Sequence, residues 1–591
     1  MKQIRLHITK AVAAAFLCAG LFACNEDKGN YNYAEIGTVT KIDSIEPVYI
    51  RVMQDSLVIR PKLAFNTELG PQTSEADFTY AWKIEQGSGD NGALKLLHEG
   101  RNLEIVIDTP IFQPEKQYTL LYEATNITTG IPYRSRFTVS IRNLYQAGYV
   151  ALCQKTDGLE LDIVYWYDNK FGLQANLLGT MGSELDRSAT PWDIVTAEIG
   201  FAPNPLDVQS TYSVFILTDK YTTRILPKDY SWKESYDISN MVERNSYLDS
   251  NYVQKGKPII AKQLRYSYMQ SGSGAGAQMR GFLLMYHEEP SGEANWYLQK
   301  TYAQFMNFSV QMNRIRTANN LTTNGKERYK PAPLVATDRF SHLFYDMDQN
   351  CFALATLPPQ NSPFGTINVY YSERVKGSEN PGHPFMFTAE TDSVLYMGEQ
   401  EGAGRYSNKR YAIRKLSNGT IQYGHWAYPT TTTLTTYLTT AANTLSMHAS
   451  AFPPGSQIEK AKFYARVPVN SSNWLYYVTT DNRVFKANVS GTTVVETEIT
   501  DEIVKDGYSE ITAFKFTRPE SADMPLANAL VVATYNGNPD TGGKMEFFVS
   551  DQFSGDLEVA KYPEPQEEGD EYQIMSFTGL GKVVGLTYKR Q

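Results

Sequence analysis

The histidines of this chain lie at spacings that do not form a local metal site. The HExxH zinc motif places two histidines four residues apart on one face of a helix. The sequence has neither that motif nor any histidine pair two or four residues apart. We predict that His287, with Glu288 beside it, lies in a solvated turn at the tip of a hairpin. Beyond the N-terminal segment the histidines are His98, His287, His342, His383, His425 and His448.

The segment "DMDQN" (346–350) has the beginning of a calcium-binding loop. Asp346, Asp348 and Asn350 occupy the first three ligand positions of such a loop. The loop needs glycine at its sixth position and glutamate at its twelfth, and these positions hold Cys351 and Leu357. We therefore predict a hairpin turn with acidic side chains, with a weak cation site as the alternative.

Sequence motifs for nucleophilic or phosphate chemistry are missing. There is no GxSxG nucleophile elbow, and "GLGKVV" (579–584) lacks the Ser or Thr of a phosphate-binding loop. A glycosidase could still bring together two carboxylates from distant parts of the chain, about 5.5 Å apart for retention or about 6.5–9.5 Å apart for inversion. We predict a non-catalytic protein without a cofactor or metal. A glycoside hydrolase, lyase or peptidase is the alternative.

Aromatic side chains in polar, turn-rich stretches are the best candidates for ligand contact. Sugars and peptides both bind well to exposed aromatic rings with polar tips. We expect partial burial beneath loops for most of these side chains, and yet they remain the predicted site for an oligosaccharide or peptide. The candidates are Trp192 in "ATPWD", Trp232 in "DYSWKESYD", and Trp426 and Tyr428 in "YGHWAYPTTTT". The strand-initial tryptophans, predicted to be core residues, are Trp296 and Trp474.

The N-terminal segment has the order of a secretory signal. Basic residues at Lys2, Arg5 and Lys10 precede an apolar run from Ala11 to Leu21, which is shorter than the ~20 residues that a membrane-spanning helix needs. "LFAC" (21–24) resembles a bacterial lipobox. We predict that residues 1–23 are a lipoprotein signal peptide and that Cys24 is the lipidated residue. The alternative is a secreted protein without a lipid anchor.

The residues after Cys24 predict a tether rather than a packed element. Residues 24–37 begin "CNEDKGNYNY" and contain few apolar residues, which favours a flexible chain. The acidic residues Glu26 and Asp27 resemble the surface-export signal of Bacteroidota-type outer-membrane lipoproteins. The resemblance implies a lipid-anchored protein of the outer membrane that faces the cell exterior.

Composition narrows the fold and the partners. The chain has 591 residues with a formal net charge of −9, so it lacks the basic surface of a nucleic-acid-binding protein, and only the lipid anchor is predicted to contact the membrane. It contains 40 Tyr and 27 Phe, and aromatic residues favour strands.

Cys153 and Cys351 lie far apart in apolar contexts. We predict two buried free thiols, with a disulfide between them as the alternative.

The strand pattern predicts an all-β protein with two domains. Short alternating strands over residues 38–143 indicate an immunoglobulin-like β-sandwich, with Trp82 in its core. Residues 146–591 contain seven hairpins separated by long polar loops, which indicates a β-propeller. We prefer seven blades, with six or eight as alternatives. The last strand, "KVVGLTYKR" (582–590), is predicted to pair beside "GYVALC" (148–153) and close the ring.

The order of these segments resembles a known family. The lipobox, the "NEDKGNYNY" tether, the "YAW" strand, the "GYVALCQ" segment and the "NWLYYVTTDNRVFKANV" hairpin together resemble the PKD-like (polycystic-kidney-disease-like) family lipoproteins of Bacteroidota. Such proteins are typically encoded beside uptake systems of the SusC/SusD type, a TonB-dependent barrel with a lipoprotein lid. The resemblance implies a surface accessory subunit of such an importer. A purely structural subunit of the complex is a further alternative.

Overall fold

The computed structural model describes residues 39–589 with gaps. The gaps are 54, 67–73, 87–92, 109–110, 114–115, 143, 168–169, 199–211, 242–258, 272–277, 289–293, 301–306, 312–328, 338–340, 349, 357–371, 376–392, 402–406, 428–447, 469–471, 517–525, 527 and 568. The chain divides into two compact units, one ending at Asn143 and the other beginning at Leu144. No helix in the described part is long and apolar enough to cross a bilayer.

The first unit is built from strands that form one larger sheet and two strand pairs. The larger sheet has the order β2-β9-β8-β5-β6, and the pairs are β1-β4 and β3-β7. Among the described strands of this unit β2 and β9 pair in parallel, and the other pairings are antiparallel. The strands are β1 (Val39–Asp43), β2 (Val48–Val52), β3 (Ser56–Ile59), β4 (Lys62–Phe65), β5 (Phe78–Gln86), β6 (Ala93–Glu99), β7 (Leu103–Val106), β8 (Gln117–Asn126) and β9 (Pro132–Arg142).

The core of the first unit surrounds Trp82. This side chain is fully buried against Tyr122, with ring centroids 4.6 Å apart, and its indole N–H donates to the carbonyl of Gly100 at 2.9 Å. A buried tryptophan needs such an acceptor for its only polar atom. The prediction that Trp82 is a core residue is confirmed.

The second unit is a series of antiparallel meanders. Its strands are β10 (Gly148–Lys155), β11 (Gly158–Tyr167), β12 (Lys170–Gln174), β13 (Pro191–Glu198), β14 (Tyr212–Thr218), β15 (Thr222–Ile225), β16 (Ala261–Ser271), β17 (Gln278–Glu288), β18 (Ala294–Lys300), β19 (Asn307–Gln311), β20 (Pro331–Thr337), β21 (Ser341–Asp346), β22 (Cys351–Thr356), β23 (Ser372–Val375), β24 (Ser393–Glu401), β25 (Ser407–Lys415), β26 (Ile421–Ala427), β27 (His448–Ala451), β28 (Ala461–Arg466), β29 (Trp474–Thr479), β30 (Val484–Asn488), β31 (Val495–Glu498), β32 (Glu510–Phe516), β33 (Leu530–Tyr535), β34 (Gly543–Ser550), β35 (Leu557–Val559), β36 (Lys561–Tyr562), β37 (Gln573–Ile574), β38 (Ser576–Leu580) and β39 (Lys582–Lys589). The short α-helices are α1 (Leu177–Thr180) and α2 (Thr500–Ile503).

These strands form the blades of a propeller. In the described residues the blade sheets are β39-β10-β11-β12, β13-β14-β15, β16 to β19, β20 to β23, β24 to β27, β28 to β31, and β32 to β35 with β38 added. Apolar clusters fill the spaces between successive sheets, and one cluster joins the last sheet to the first, where the rings of Tyr149 and Phe547 lie 4.7 Å apart. The all-β prediction is confirmed, and the sheets correspond to the preferred count of seven blades.

The C-terminal strand closes the ring as predicted. β39 pairs antiparallel with β10, from Gly148 opposite Lys589 to Gln154 opposite Lys582. The carboxylate of Asp162 on β11 accepts hydrogen bonds from the N–H of Gly581 at 2.9 Å and from the ammonium of Lys155 at 3.0 Å. The first blade therefore contains both the beginning and the end of the propeller chain.

Several residues that the sequence singled out for possible chemistry can be located in the structure. "DMDQN" joins β21 to β22 as a hairpin turn, in which the N–H of Asp348 donates to Asp346 at 2.9 Å. No cluster of three metal-ligating side chains occurs in the described residues.

The prediction for His287 was wrong: it is buried within β17, and its Nδ1 lies 3.0 Å from the carbonyl of Ile260. The apolar run before it extends the strand through the histidine. Cys153 is a buried free thiol as predicted, whereas the side chain of Cys351 lies outside the described atoms.

Candidate functional site

A cavity of about 540 Å³ lies at the centre of the propeller. Residues of β13, β16, β20, β24, β28, β32 and β39 line it, so each blade contributes its innermost strand. Its volume falls within the roughly 300–1,000 Å³ of small-molecule sites. The cavity is therefore a candidate ligand site in the part of the chain that the structure describes.

Charged side chains from five different blades meet in this cavity. Asp193 on β13, Arg265 on β16, Glu399 on β24 and Lys515 on β32 all line it. Glu399 accepts a hydrogen bond from the N–H of Thr337 at 2.8 Å, and the N–H of Ile194 donates to Asp193 at 2.8 Å. Burial raises the pKa of Asp193, although the positive charges of Lys515 and Arg265 act in the opposite direction.

Arg265 projects into the cavity without a direct partner. Its side chain is exposed even though strands of other blades surround it, because it reaches into the open space. No hydrogen bond or ion pair to Arg265 occurs among the described residues. Burial alone would lower its pKa, but electrostatic interactions with Tyr396, Asp193 and Glu399 outweigh burial and raise it. Arg265 is therefore a fully charged guanidinium with its donors unused.

Two other cations of the cavity wall are held by the protein itself. Arg466 donates to the carbonyls of Trp474 at 2.6 Å and Ser472 at 2.7 Å. Lys462 donates to the side-chain oxygen of Asn482 at 2.7 Å and to the carbonyl of Ile511 at 2.8 Å, and burial lowers its pKa. These bonds fix both side chains as parts of the wall.

Tyrosines supply the other polar part of the lining. Tyr396 and Tyr464 stack with ring centroids 4.3 Å apart, which joins β24 to β28. Tyr411 lies over Gly398, where an added Cβ would be only 2.9 Å from its hydroxyl oxygen. Burial raises the pKa of Tyr411 and Tyr464. These phenols stay neutral and keep their O–H groups, and that of Tyr464 donates to the carbonyl of Ile458 at 3.4 Å.

The described cavity lining lacks the usual pair of a nucleophile and a histidine base. It contains two carboxylates, Asp193 and Glu399, and within the described lining there is no histidine, cysteine or serine. A Ser–His or Cys–His pair is therefore missing from the described lining, whereas two carboxylates are the residues that a glycosidase uses. The arrangement can hold a polar ligand by hydrogen bonds, charge and aromatic contact.

The aromatic residues predicted from sequence lie elsewhere. Trp192 packs between the second and third blades, with the ammonium of Lys262 5.1 Å from its ring centre. Trp232 packs on an apolar cluster between the first and second blades and donates its N–H to Thr223 at 2.8 Å. Neither lines the cavity. Outside the described atoms are the side chain of Trp426 and all of Tyr428, Cys24, Glu26 and Asp27.

Sequence reasoning missed the residues that do line the cavity. They include Asp193, Arg265, Tyr396, Glu399, Tyr464 and Lys515. These residues could have been found from their position, because the innermost strand directly precedes the hairpin in nearly every blade. In β16, Gln263 and Arg265 are two residues apart and so share the face toward the cavity.

Comparison with known proteins supports the N-terminal assignment. A family model described as "PKD-like family" matches residues 24–177, which extend from the first unit through β10, β11 and β12 of the first blade. No curated protein matches this chain.

Solved structures with similar folds come from diverse sources. One is a quinonprotein alcohol dehydrogenase-like protein from Bacteroides thetaiotaomicron, at 12% identity over 93% of this chain and 99% of that chain, with a TM-score of 0.31. Another is the WD40 domain of Toxoplasma gondii coronin, at 10% identity over 72% and 81%, with a TM-score of 0.31. A third is PorZ, a surface component of the type IX secretion system of Porphyromonas gingivalis, at 8% identity over 82% and 60%, with a TM-score of 0.20. With TM-scores below 0.5, these similarities establish no shared activity. From its own strand topology and the family match, the chain is an all-β protein with a PKD-like N-terminal region and a β-propeller.

Proposed function

We propose that this protein is a lipid-anchored subunit on the outer-membrane surface that captures an oligosaccharide or peptide for a SusC/SusD-like importer. It carries out no catalysis in this role. The observation that carries the binding function is the central cavity, whose wall presents Arg265 beside the phenols of Tyr396 and Tyr411. Groups of this kind orient a small polar ligand.

Sequence features support the location and the partner. The "LFAC" segment ending at Cys24 and the acidic residues Glu26 and Asp27 resemble the anchor and export signal of surface lipoproteins. The PKD-like match begins at residue 24, the proposed mature N-terminus. Proteins of the resembled family are typically encoded beside SusC/SusD-type importers, which makes such a pair the proposed partner.

Two experiments test this function. The first is affinity purification of the full-length lipoprotein from membranes that contain a SusC/SusD-like pair encoded beside its gene. We expect the pair to co-purify. In the same cells, Glu26→Ala with Asp27→Ala should leave the protein lipidated but protected from external protease. If the pair does not co-purify even after mild cross-linking, the proposed assembly is contradicted. If external protease cleaves the double variant as readily as the wild type, the proposed export signal is contradicted.

The second experiment separates capture from the alternatives. The purified protein is applied to glycan and peptide arrays, and the bound ligands are then incubated with it and analysed by mass spectrometry. We expect binding without product. Turnover that disappears in Asp193→Asn or Glu399→Gln would establish the hydrolase alternative. Co-purification with the importer without binding to any array ligand would establish a purely structural subunit.

A further inference from the structure

We propose that the central cavity recognises its ligand through a carboxylate group, which the guanidinium of Arg265 binds. This inference rests on the proposed function and narrows its ligand class from any oligosaccharide or peptide to one that carries a free carboxylate. The two sources of that chemistry are an acidic sugar such as a uronic acid and the C-terminus of a short peptide.

The first argument is the unused hydrogen-bonding capacity of Arg265. A guanidinium presents five N–H donors in a planar fork that matches a carboxylate with two parallel bonds. Among the described residues nothing bonds to Arg265, while the wall cations Arg466 and Lys462 are occupied by protein oxygens. Lys515 donates to the carbonyl of Leu586 at 3.5 Å, so Arg265 is the cation of the described wall that is left for a ligand.

The second argument is the charge of the cavity relative to the protein. The chain carries a net charge of −9, yet the cavity lining holds four cationic side chains and two carboxylates. The cationic side chains are Arg265, Lys462, Arg466 and Lys515. A concave site with an excess of one sign concentrates its field and selects ligands of the opposite sign. An acidic protein with a locally basic cavity therefore selects an anion there.

The third argument is the place of the internal carboxylates. Asp193 and Glu399 lie near enough to Arg265 to raise its pKa, yet neither forms an ion pair with it. Each instead accepts a backbone N–H, from Ile194 and Thr337 respectively. These bonds hold both carboxylates back in the wall. The space in front of the guanidinium is left for a ligand, and the phenols of Tyr396 and Tyr411 line the same cavity.

The experiment compares charged ligands with their neutral forms. Oligogalacturonides are arrayed beside their methyl esters, and tripeptides with a free C-terminus beside the corresponding amides. Hits are then titrated by calorimetry. We expect one of the two charged series to bind and its neutral form to bind about ten- to a hundredfold more weakly, the range for loss of charge-assisted hydrogen bonds. The series that binds identifies the source of the carboxylate.

Variants on one strand test the assigned residue. Arg265→Met should weaken binding of the charged ligand about ten- to a hundredfold and leave the affinity for the neutral form unchanged. Arg265→Lys keeps the charge but loses the fork, so an intermediate loss is expected. Lys262→Met is the matched control, because it removes a positive charge three residues away on β16 and outside the cavity. It should bind like the wild type, and equal melting temperatures confirm that all three variants fold.

The outcomes distinguish this inference from the proposed function. Ligands that bind equally well as neutral forms, or that are insensitive to Arg265→Met, overturn the carboxylate assignment and leave capture intact. Equal losses of ligand affinity in Lys262→Met and Arg265→Met would show that the overall charge of the protein causes the effect. That result would also overturn the assignment. Absence of binding to both arrays removes the capture function and this inference together.

Discussion

The carboxylate of Asp162 accepts a hydrogen bond of 2.9 Å from the backbone N–H of Gly581, 419 residues later in the chain. The same buried carboxylate accepts bonds from Lys155 at 3.0 Å and from the N–H of Asn176 at 2.8 Å. It therefore joins three segments of the first blade at the point where β39 begins. The closing strand is held by a charged network as well as by its strand pairing.

Replacing Asp162 should weaken ring closure. Asp162→Ala leaves the ammonium of Lys155 nearly buried without its counter-ion, and removing one partner of a buried pair costs about 3–5 kcal/mol. We expect a corresponding loss in the free energy of unfolding of the propeller, measured by urea denaturation. Asp157→Ala, in the exposed turn of the same hairpin, is the control and should change it by no more than about 0.5 kcal/mol. Equal stability of both variants would contradict a role in closure.

His342 should make the protein sensitive to mild acid. Burial, together with the positive charge of Arg410, lowers the pKa of His342 to about 3. The unfolded chain gains this proton near pH 6.5, so the unfolded state binds more protons and stability falls as the pH drops from about 6.5 toward 3. Between about pH 6.5 and pH 5 the loss from this residue is about 2 kcal/mol. In His342→Gln the decline over that interval should shrink by this amount, and an unchanged slope would contradict the assignment.

Asp193 should have the opposite dependence on pH. Its pKa is raised in the folded protein by burial, so the folded state holds the proton more tightly than the unfolded chain. Stability therefore declines as the pH rises from about 3.9, the ordinary aspartate value, through the higher folded pKa. Asp193→Asn should melt at a higher temperature than the wild type at neutral pH, and the two should converge below about pH 3.9. A variant that melts lower at neutral pH would show that the ionised carboxylate is stabilising.

Lipidation at Cys24 should determine where the protein is found. Cys24→Ala removes the proposed acylation site, and most of the protein should move from the membrane fraction to the soluble fraction with an unchanged melting temperature. Cys18→Ala, within the apolar run of the signal segment, is the matched control and should remain in the membrane. Metabolic labelling with an alkyne fatty acid provides the readout. Equal labelling of wild type and Cys24→Ala would contradict the anchor.

The sequence predicted the middle of each blade better than its inner edge. The seven predicted hairpins correspond to the second and third strands of the blades, such as β10 with β11 and β29 with β30, where apolar residues face neighbouring blades. The inner strands mix polar and apolar residues, because one face of each strand meets the open cavity. Their pattern therefore resembles that of a loop.

The candidate site depended on a closed ring that local patterns do not encode. Trp192 was predicted to contact a ligand because it is an aromatic residue in a polar stretch, but the residue that lines the cavity is its neighbour Asp193. The two side chains point to opposite faces of β13 because the strand period is two residues. Asp193 and Lys515 become neighbours only because β39, at the end of the chain, lies between their strands.

The pairing of β39 with β10 has a consequence for how the molecule is made. The first blade is synthesised first, yet its innermost strand is nearly the last segment of the chain to be produced. Contacts that join such distant positions form slowly, since a long loop must close before they contribute. During synthesis β10 therefore has an unpaired edge, which is prone to aggregation. That edge stays open until nearly the whole chain has been made.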